Sequence, residues 1–185
     1  MRIESISIKN FKLFDNLTVS FRNRTLDEVN DRFLVLGDNG TGKTTLLQAI
    51  ALPLAIAMQQ IRDVSEFDWI GFLPGRYMRW GAPHIELDIS FEDDEIDATR
   101  EVAERWYNAQ PETSPVRLRG FVSPASDKTT RITMDGELCQ AETAAQFYQF
   151  HGRYYAQRLL RTDPTIRKLF SRLPGLFWFD QFRNL

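Results

Sequence analysis

The sequence predicts a mixed α/β fold in which a strand, a glycine-rich loop and a helix adjoin an antiparallel β-subdomain. The first observation is the apolar run at residues 32–37, RFLVLG, which is typical of a strand buried on both faces of a parallel sheet. The second is the helical spacing of the apolar residues behind the loop, and the third is the strict alternation of apolar and polar residues over 85–91. With 185 residues, 43% of them hydrophobic, we expect residues 1–185 to form one domain with a sizeable core.

The first third of the chain contains two alternating runs, at residues 3–8 and 17–21, which predict two strands with a turn at Asp15-Asn16. A polar loop is expected over 23–31. The helix behind the glycine-rich loop should extend from residue 41 to about residue 61, with Pro53 either kinking it or ending it. Residues 64–83 are rich in glycine, proline and tryptophan, which predicts irregular structure.

Residues 59–175 carry no recognisable motif, but their patterns still predict elements. A helix is expected over 94–108, with carboxylates in its first turn, and strands over 116–122 and 129–134, with Asp135-Gly136 as a hairpin turn. An aromatic helix should occupy 142–160, and Asp163-Pro164 should start another. Residues 176–180 then predict an apolar strand.

Composition excludes several classes of protein. No apolar run reaches the ~20 residues that span a bilayer, and the N-terminus lacks the apolar centre of a signal peptide. Cys139 is the only cysteine, which excludes an internal disulfide, a zinc cluster and a CxxC redox motif, and we expect it to fill a small space in the core. A cytoplasmic protein with no membrane partner is expected.

Charge is unevenly distributed along the chain. Residues 84–112 are rich in aspartate and glutamate, whereas residues 146–185 are rich in arginine and lysine. Solvated helix faces explain this pattern, and so does a basic surface that faces nucleic acid or another acidic partner. Charge alone does not decide between the two.

The glycine-rich loop, GDNGTGKT at residues 37–44, matches the phosphate-binding pattern GxxxxGK[ST] without a mismatch. Its glycines allow backbone N–H groups to turn towards phosphates, and the following helix adds its positive N-terminal end. Lys43 should bridge the β- and γ-phosphates, the Thr44 hydroxyl should ligate Mg²⁺, and Thr45 should reach the α-phosphate side. The candidate nucleotide-binding residues are Gly37, Asp38, Asn39, Gly40, Thr41, Gly42, Lys43, Thr44 and Thr45.

The loop and the segment before it together resemble a known family. Residues 1–52, with Asn10-Phe11-Lys12 and with Asn39-Gly40 inside the loop, resemble the N-terminal half of ABC-type ATPases of the SMC/RecF branch. The resemblance implies a P-loop NTPase core of ABC-ATPase type with an adjoining antiparallel β-subdomain, incomplete here, and ATP and Mg²⁺ as cofactors. It also implies that Lys12 lies near the phosphates, although a surface lysine at a strand end is an equal alternative.

The C-terminal residues LFWFDQFRNL at 176–185 have two functional interpretations. One is a Walker B strand ending at Asp180, with Gln181 in place of a catalytic glutamate, where it cannot accept a proton from water. The other is a Q-loop, in which Gln181 contacts Mg²⁺ and the attacking water. The order of family motifs favours the Q-loop, because no LSGGQ-type signature precedes this stretch; a plain core strand is the third interpretation.

The resemblance implies an ATPase that couples ATP-dependent head dimerisation to DNA repair, DNA maintenance or anti-phage defence. Its implied partners are a second ATPase head, in a homodimer or larger oligomer, DNA, and an effector protein such as a nuclease. Since a signature and a complete Walker B are not recognisable, we expect negligible turnover from the isolated chain. The alternatives are the nucleotide-binding subunit of an ABC transporter and a non-catalytic nucleotide-binding regulatory or scaffold protein.

Overall fold

A computed structural model describes residues 1–23, 25–78 and 80–178 of the chain. In chain order its strands are β1 (Arg2–Phe11), β2 (Phe14–Ser20), β3 (Arg22–Asn23), β4 (Glu28–Val29), β5 (His84–Ser90), β6 (Thr129–Asp135) and β7 (Leu138–Ala141). Five of them form one antiparallel sheet in the order β2-β1-β5-β6-β7, and β3 pairs with β4 beside it. The predicted α/β class with an antiparallel β-subdomain is confirmed.

The α-helices are α1 (Lys43–Ala57), α2 (Asp93–Asn108), α3 (Pro115–Arg119), α4 (Ala144–Tyr148) and α5 (Gly152–Leu159). Short 3₁₀ turns lie at Val64–Glu66, Pro74–Arg76, Gln149–His151 and Pro164–Lys168. The helix predicted over 94–108 is confirmed as α2, and 142–160 is helical in three short segments.

The sheet has one apolar face and one polar face, as the alternation of its residues requires. Ile6, Leu87 and Ile132 are paired neighbours on β1, β5 and β6, and all three are buried in the main core with most of α1. On the opposite face Asp88 accepts hydrogen bonds from Ser5 at 2.7 Å and from the Arg131 Nε at 2.6 Å. The apolar face therefore rests on α1, and ion pairs occupy the polar face.

A second apolar cluster lies between α2 and α5. It includes Val102 of α2, Tyr155 and Leu159 of α5, and Ile166 of the 3₁₀ turn that follows. Helices α2 and α5 and the 3₁₀ turn Pro164–Lys168 thereby form a helical layer with its own small core.

The strand predicted at residues 32–37 is wrong, because these residues form no ladder with any described strand. Leu34 and Leu36 are each 79% exposed. An apolar run can be buried on both faces only when strands pair on either side of it and cover it. The run has no regular secondary structure and leads into the glycine-rich loop.

The strand predicted over 116–122 is also wrong, since α3 occupies its first half. Ser114 caps this helix by accepting a hydrogen bond from the Arg117 backbone N–H at 3.2 Å, and Pro115 takes the first helical position. A serine cap followed by proline is a helix start signal that outweighs the β-branched residues behind it.

Other boundaries differ from the predictions by small amounts. The β1–β2 turn is at Lys12-Leu13, because Phe11 pairs with Phe14, and the β6–β7 turn is at Gly136-Glu137. Helix α1 continues through Pro53 to Ala57 instead of ending before it. Asp163 caps its element as predicted, but that element is a 3₁₀ turn.

Candidate nucleotide-binding site

The glycine-rich loop joins segment 32–36, of which only Val35 is partly buried, to the start of α1, and residues 37–41 are all exposed. Gly40 has φ +85° and Gly42 has φ +93°, both in the left-handed region where a Cβ is unfavourable. A Cβ on Gly42 would also lie 2.8 Å from Cζ of Phe14, the first residue of β2. The pattern therefore requires glycine at residue 42 for its backbone angle and for its contact with the β1–β2 hairpin.

The N-terminus of α1 is open to an anion. Gly42 provides no side-chain hydrogen bond to the first turn, and that turn contains no acidic residue. By contrast, α2 and α4 begin with capping boxes and α3 begins with a serine cap. The first N–H groups of α1 lack such partners, and the helix dipole places partial positive charge at the same point.

Lys43 lies over the loop that precedes it. Its Nζ donates to the carbonyl oxygens of Gly37 at 2.8 Å and Asp38 at 2.6 Å, and the Thr41 hydroxyl also donates to Asp38, at 2.8 Å. The ammonium group is thus held among the atoms of the motif, where it can exchange backbone oxygens for phosphate oxygens.

The two threonines behind Lys43 have different environments. Thr44 is exposed, so its hydroxyl can reach a metal ion, whereas Thr45 is 95% buried, with only 5% of its surface exposed. The described residues contain no group of three or more histidine, cysteine or acidic side chains able to hold a metal ion. Among the described residues, Thr44 offers Mg²⁺ a hydroxyl ligand at this loop, beside phosphate and water oxygens.

Lys12 lies in the β1–β2 turn with φ +49° and contacts the helix that follows the loop. Its Nζ donates to Oε1 of Gln48 at 2.8 Å and to the carbonyl of Gly71 at 2.9 Å, and burial lowers its pKa. Gln48 is one helical turn beyond Thr44, so the structure brings the Asn-Phe-Lys triplet and the glycine-rich loop to the same end of α1.

Sequence reasoning missed Gln48 and Phe14, which connect these two motifs. Gln48 is fully buried, and its Nε2 lacks a hydrogen-bond partner among the described residues. A glutamine within the apolar face of a predicted helix was the available signal, since buried polar groups are costly unless they are paired. Phe14 gave no comparable signal, because its role depends on contact with Gly42.

Asp180 and Gln181 lie outside the described residues, so the two interpretations of the C-terminal stretch stay predictions. The residues just before them, 176–178, form no strand. Instead Trp178 stacks on Trp69 with ring centroids 6.1 Å apart, and Gln60 donates to the Leu176 carbonyl at 2.9 Å.

In the part of the chain that the structure describes, Cys139 and the two histidines form no hydrogen bond or ion pair with the glycine-rich loop, and His84 pairs with Lys9 across β5 and β1. Cys139 is partly buried against the main core, and this burial raises the pKa of its thiol to about 12. A protonated thiol suits a side chain that fills space. His84 is on β5 beside Asp135, and His151 is buried near Tyr155.

Comparison with known families decides the class of this site. The AAA ATPase domain family matches residues 1–104, which include the glycine-rich loop, Lys12 and Gln48. The chain belongs to this AAA ATPase domain family. The match covers more than half of the chain, and it confirms the prediction of a nucleotide-binding ATPase.

Further comparisons add little to the AAA ATPase domain assignment. No curated protein matches the chain. A solved structure described under "ATP-driven dimerization and DNA stimulated activation of SMC ATPases" covers 92% of this chain and 98% of its own, with 14% identity and a TM-score of 0.40. Among the described helices, none has the length and apolar character needed to cross a membrane.

Proposed function

We propose that this chain is the ATP- and Mg²⁺-binding lobe of an SMC/RecF-like ABC ATPase, in which nucleotide-dependent dimerisation of heads is coupled to DNA repair, DNA maintenance or anti-phage defence. The observation that carries the proposal is the position of Lys43, whose ammonium lies over the loop carbonyls at the uncapped start of α1. The contact of Lys12 with Gln48 supports the SMC/RecF-like part, since it joins both motifs of the resemblance.

The residues present fit the phosphates of a nucleotide. The free N–H groups of the first turn of α1 bind phosphate oxygens, Lys43 neutralises their charge, and Thr44 offers its hydroxyl to Mg²⁺. Gly40 and Gly42 keep the approach clear of side chains. When bound, Mg²⁺-ATP supplies a γ-phosphoryl group that can be transferred to water.

The proposed second head follows from the charge stabilisation that phosphoryl transfer needs at the γ-phosphate. Phosphoryl transfer depends on positioning and on charge stabilisation at the γ-phosphate, which in this class comes partly from a second head. DNA and an effector such as a nuclease are the further partners that the resemblance implies.

The test is ATP binding by the wild-type chain and by Lys43→Ala, measured by isothermal titration calorimetry with Mg²⁺ present. We expect the substitution to weaken binding roughly 10- to 100-fold, because it removes a charge-assisted contact to phosphate. Lys9→Ala is the matched control, since Lys9 is exposed on β1 and should leave the affinity unchanged.

Each result has a definite meaning. Equal ATP affinity in Lys43→Ala and wild type overturns the proposed cradle. A stronger effect of added DNA on ATP binding by wild type than on ATP binding by Lys43→Ala supports the coupling to DNA.

A further inference from the structure

Two cavities lie in the helical layer, and no residue of the glycine-rich loop lines either of them. The first has a volume of about 600 Å³ and the second about 610 Å³. Trp106 of α2 lines both and forms their common wall. We name them together the aromatic groove, defined by Trp106, Tyr107, Arg119, Phe121, Arg158 and Arg161.

Aromatic rings dominate the first cavity. Trp106 stacks on Tyr155 with centroids 4.6 Å apart and an interplanar angle of 28°, and Tyr107 packs on Phe121 at 5.0 Å. Phe121 is 40% exposed, so part of its ring is available to a ligand. Rings held in place by their neighbours can stack on a flat ligand with little loss of side-chain freedom.

Arginines accompany these rings on both sides of Trp106. Arg119 lines the first cavity, and Arg158 and Arg161 line the second. The Arg158 guanidinium lies 4.4 Å from the Tyr154 ring centroid, which places it at the boundary of the two cavities. Arg158 and Arg161 belong to the basic C-terminal part of the sequence.

The chain has 25 acidic and 23 basic residues. Of the residues that the structure describes, however, no acidic one lines either cavity. Among the described residues, no ion pair includes Arg119, Arg158 or Arg161; nearby Glu101 of α2 pairs with Arg105 instead. The positive charge of the groove is therefore available to an anionic ligand.

We propose that the aromatic groove binds single-stranded nucleic acid, with bases stacking in the two cavities and phosphates meeting Arg119, Arg158 and Arg161. A repeated combination of aromatic faces and arginines matches a strand in which flat bases and anionic phosphates alternate. Each cavity falls within the volume range of small-ligand pockets, but their pairing across Trp106 favours a strand over one mononucleotide. This inference deepens the proposed function and depends on it only in taking nucleic acid as the partner.

The experiment measures fluorescence anisotropy of a labelled 20-nucleotide oligo(dT) with the full chain, without ATP, over a series of salt concentrations. Removing two phosphate contacts in Arg158→Gln/Arg161→Gln should reduce the slope of log affinity against log salt by about 1.4. Removing a stacking face in Phe121→Ala should weaken binding roughly 5- to 100-fold.

Two matched controls separate this groove from general charge and apolarity. Arg167→Gln/Lys168→Gln removes two exposed basic side chains outside the groove, and Leu118→Ala shortens a 77% exposed side chain of α3 that lines neither cavity. Both should bind oligo(dT) like wild type. Thermal melting of every variant establishes that each is folded.

Several outcomes overturn the inference. They are equal loss of binding in groove and control variants, preference for a duplex of the same length, and full competition by a free mononucleotide at concentrations that leave ATP binding at the loop unchanged. Lys43→Ala should retain oligo(dT) binding, so a failure of the groove and a failure of the ATP cradle give different results.

Discussion

His151 is a buried histidine with no charged partner in the described part of the chain, and that makes it a determinant of acid stability. It is 93% buried, with only 7% of its surface exposed, and desolvation lowers its pKa to about 4 from an ordinary value of 6.5. Its Nδ1 lies 3.3 Å from the Tyr155 hydroxyl, and its Nε2 has no hydrogen-bond partner among the described residues. The native state therefore holds this side chain neutral.

We predict that the free energy of unfolding falls as the pH is lowered from 6.5 to 4. In that window the unfolded state binds a proton at His151 and the native state does not, so protonation favours unfolding, by up to about 3 kcal/mol. Urea denaturation across this range should show a smaller decline in His151→Phe than in wild type. The difference between the two proteins removes the contribution of carboxylates common to both.

His84→Asn is the control, because its shift has the opposite sign. A hydrogen bond with Asp135 and, to a smaller extent, one with Glu86 raise the pKa of His84. Its contribution to stability is present below pH 6.5 and is lost as the pH rises through its folded pKa. The acid decline should therefore persist in His84→Asn, and its disappearance there would contradict the assignment to His151.

At the scale of elements, local signals predicted some structures well and failed where pairing partners decided the outcome. The alternation over 85–91 and the carboxylate-rich start of α2 each specify an element by themselves, and both are confirmed. The run 32–37 has a strand composition, but a strand also needs backbone partners, which no local pattern supplies. The start of α3 was readable from Ser114-Pro115, and the β-branched residues behind it masked that signal.

The same distinction applies to the candidate site. The pattern GxxxxGK[ST] identified Lys43 and its loop, because that spacing is set by local backbone geometry. The contacts of Gln48 with Lys12 and of Phe14 with Gly42 depend on packing the β1–β2 hairpin against α1. Such contacts between distant segments cannot be predicted from spacing along one chain.

Segment 32–36 leads to a prediction about its two exposed leucines, Leu34 and Leu36. Leu34→Ser/Leu36→Ser should change the free energy of unfolding of the isolated chain by less than about 0.5 kcal/mol per site, because neither side chain is packed. Guanidinium denaturation measures this. Leu52→Ala in α1 is the reference for a fully buried leucine and should cost about 2–5 kcal/mol.

A loss of that size from the serine variants would show that the segment is buried in solution. The predicted central parallel strand would then exist, and the unpaired conformation of residues 32–36 would be wrong.

In the whole molecule, two separate apolar cores support the two proposed sites. The main core fixes α1 and the nucleotide loop against the sheet, and the second core fixes the helices that form the aromatic groove. Phe150 belongs to the main core and its neighbour His151 lines the groove, so the 3₁₀ turn Gln149–His151 connects the two. The proposed nucleotide site and the proposed nucleic-acid site should therefore be separable by mutation.

The nucleotide loop leads to a prediction for catalysis by the 185-residue polypeptide alone. It should bind ATP through Lys43 yet release phosphate no faster than Lys43→Ala, since one loop supplies little of the charge stabilisation that the transition state needs. Enzymes commonly turn over at about 10 s⁻¹. A phosphate-release assay would therefore reveal a Lys43-dependent rate even if it were a small fraction of that value.

Raising the chain concentration 100-fold is the control for pairing of heads. A Lys43-dependent rate per chain that grows with concentration supports a composite site formed by two chains. A Lys43-dependent rate that stays constant over that range would instead show that a single chain is sufficient for turnover, and the expectation of negligible activity without a second head would fail.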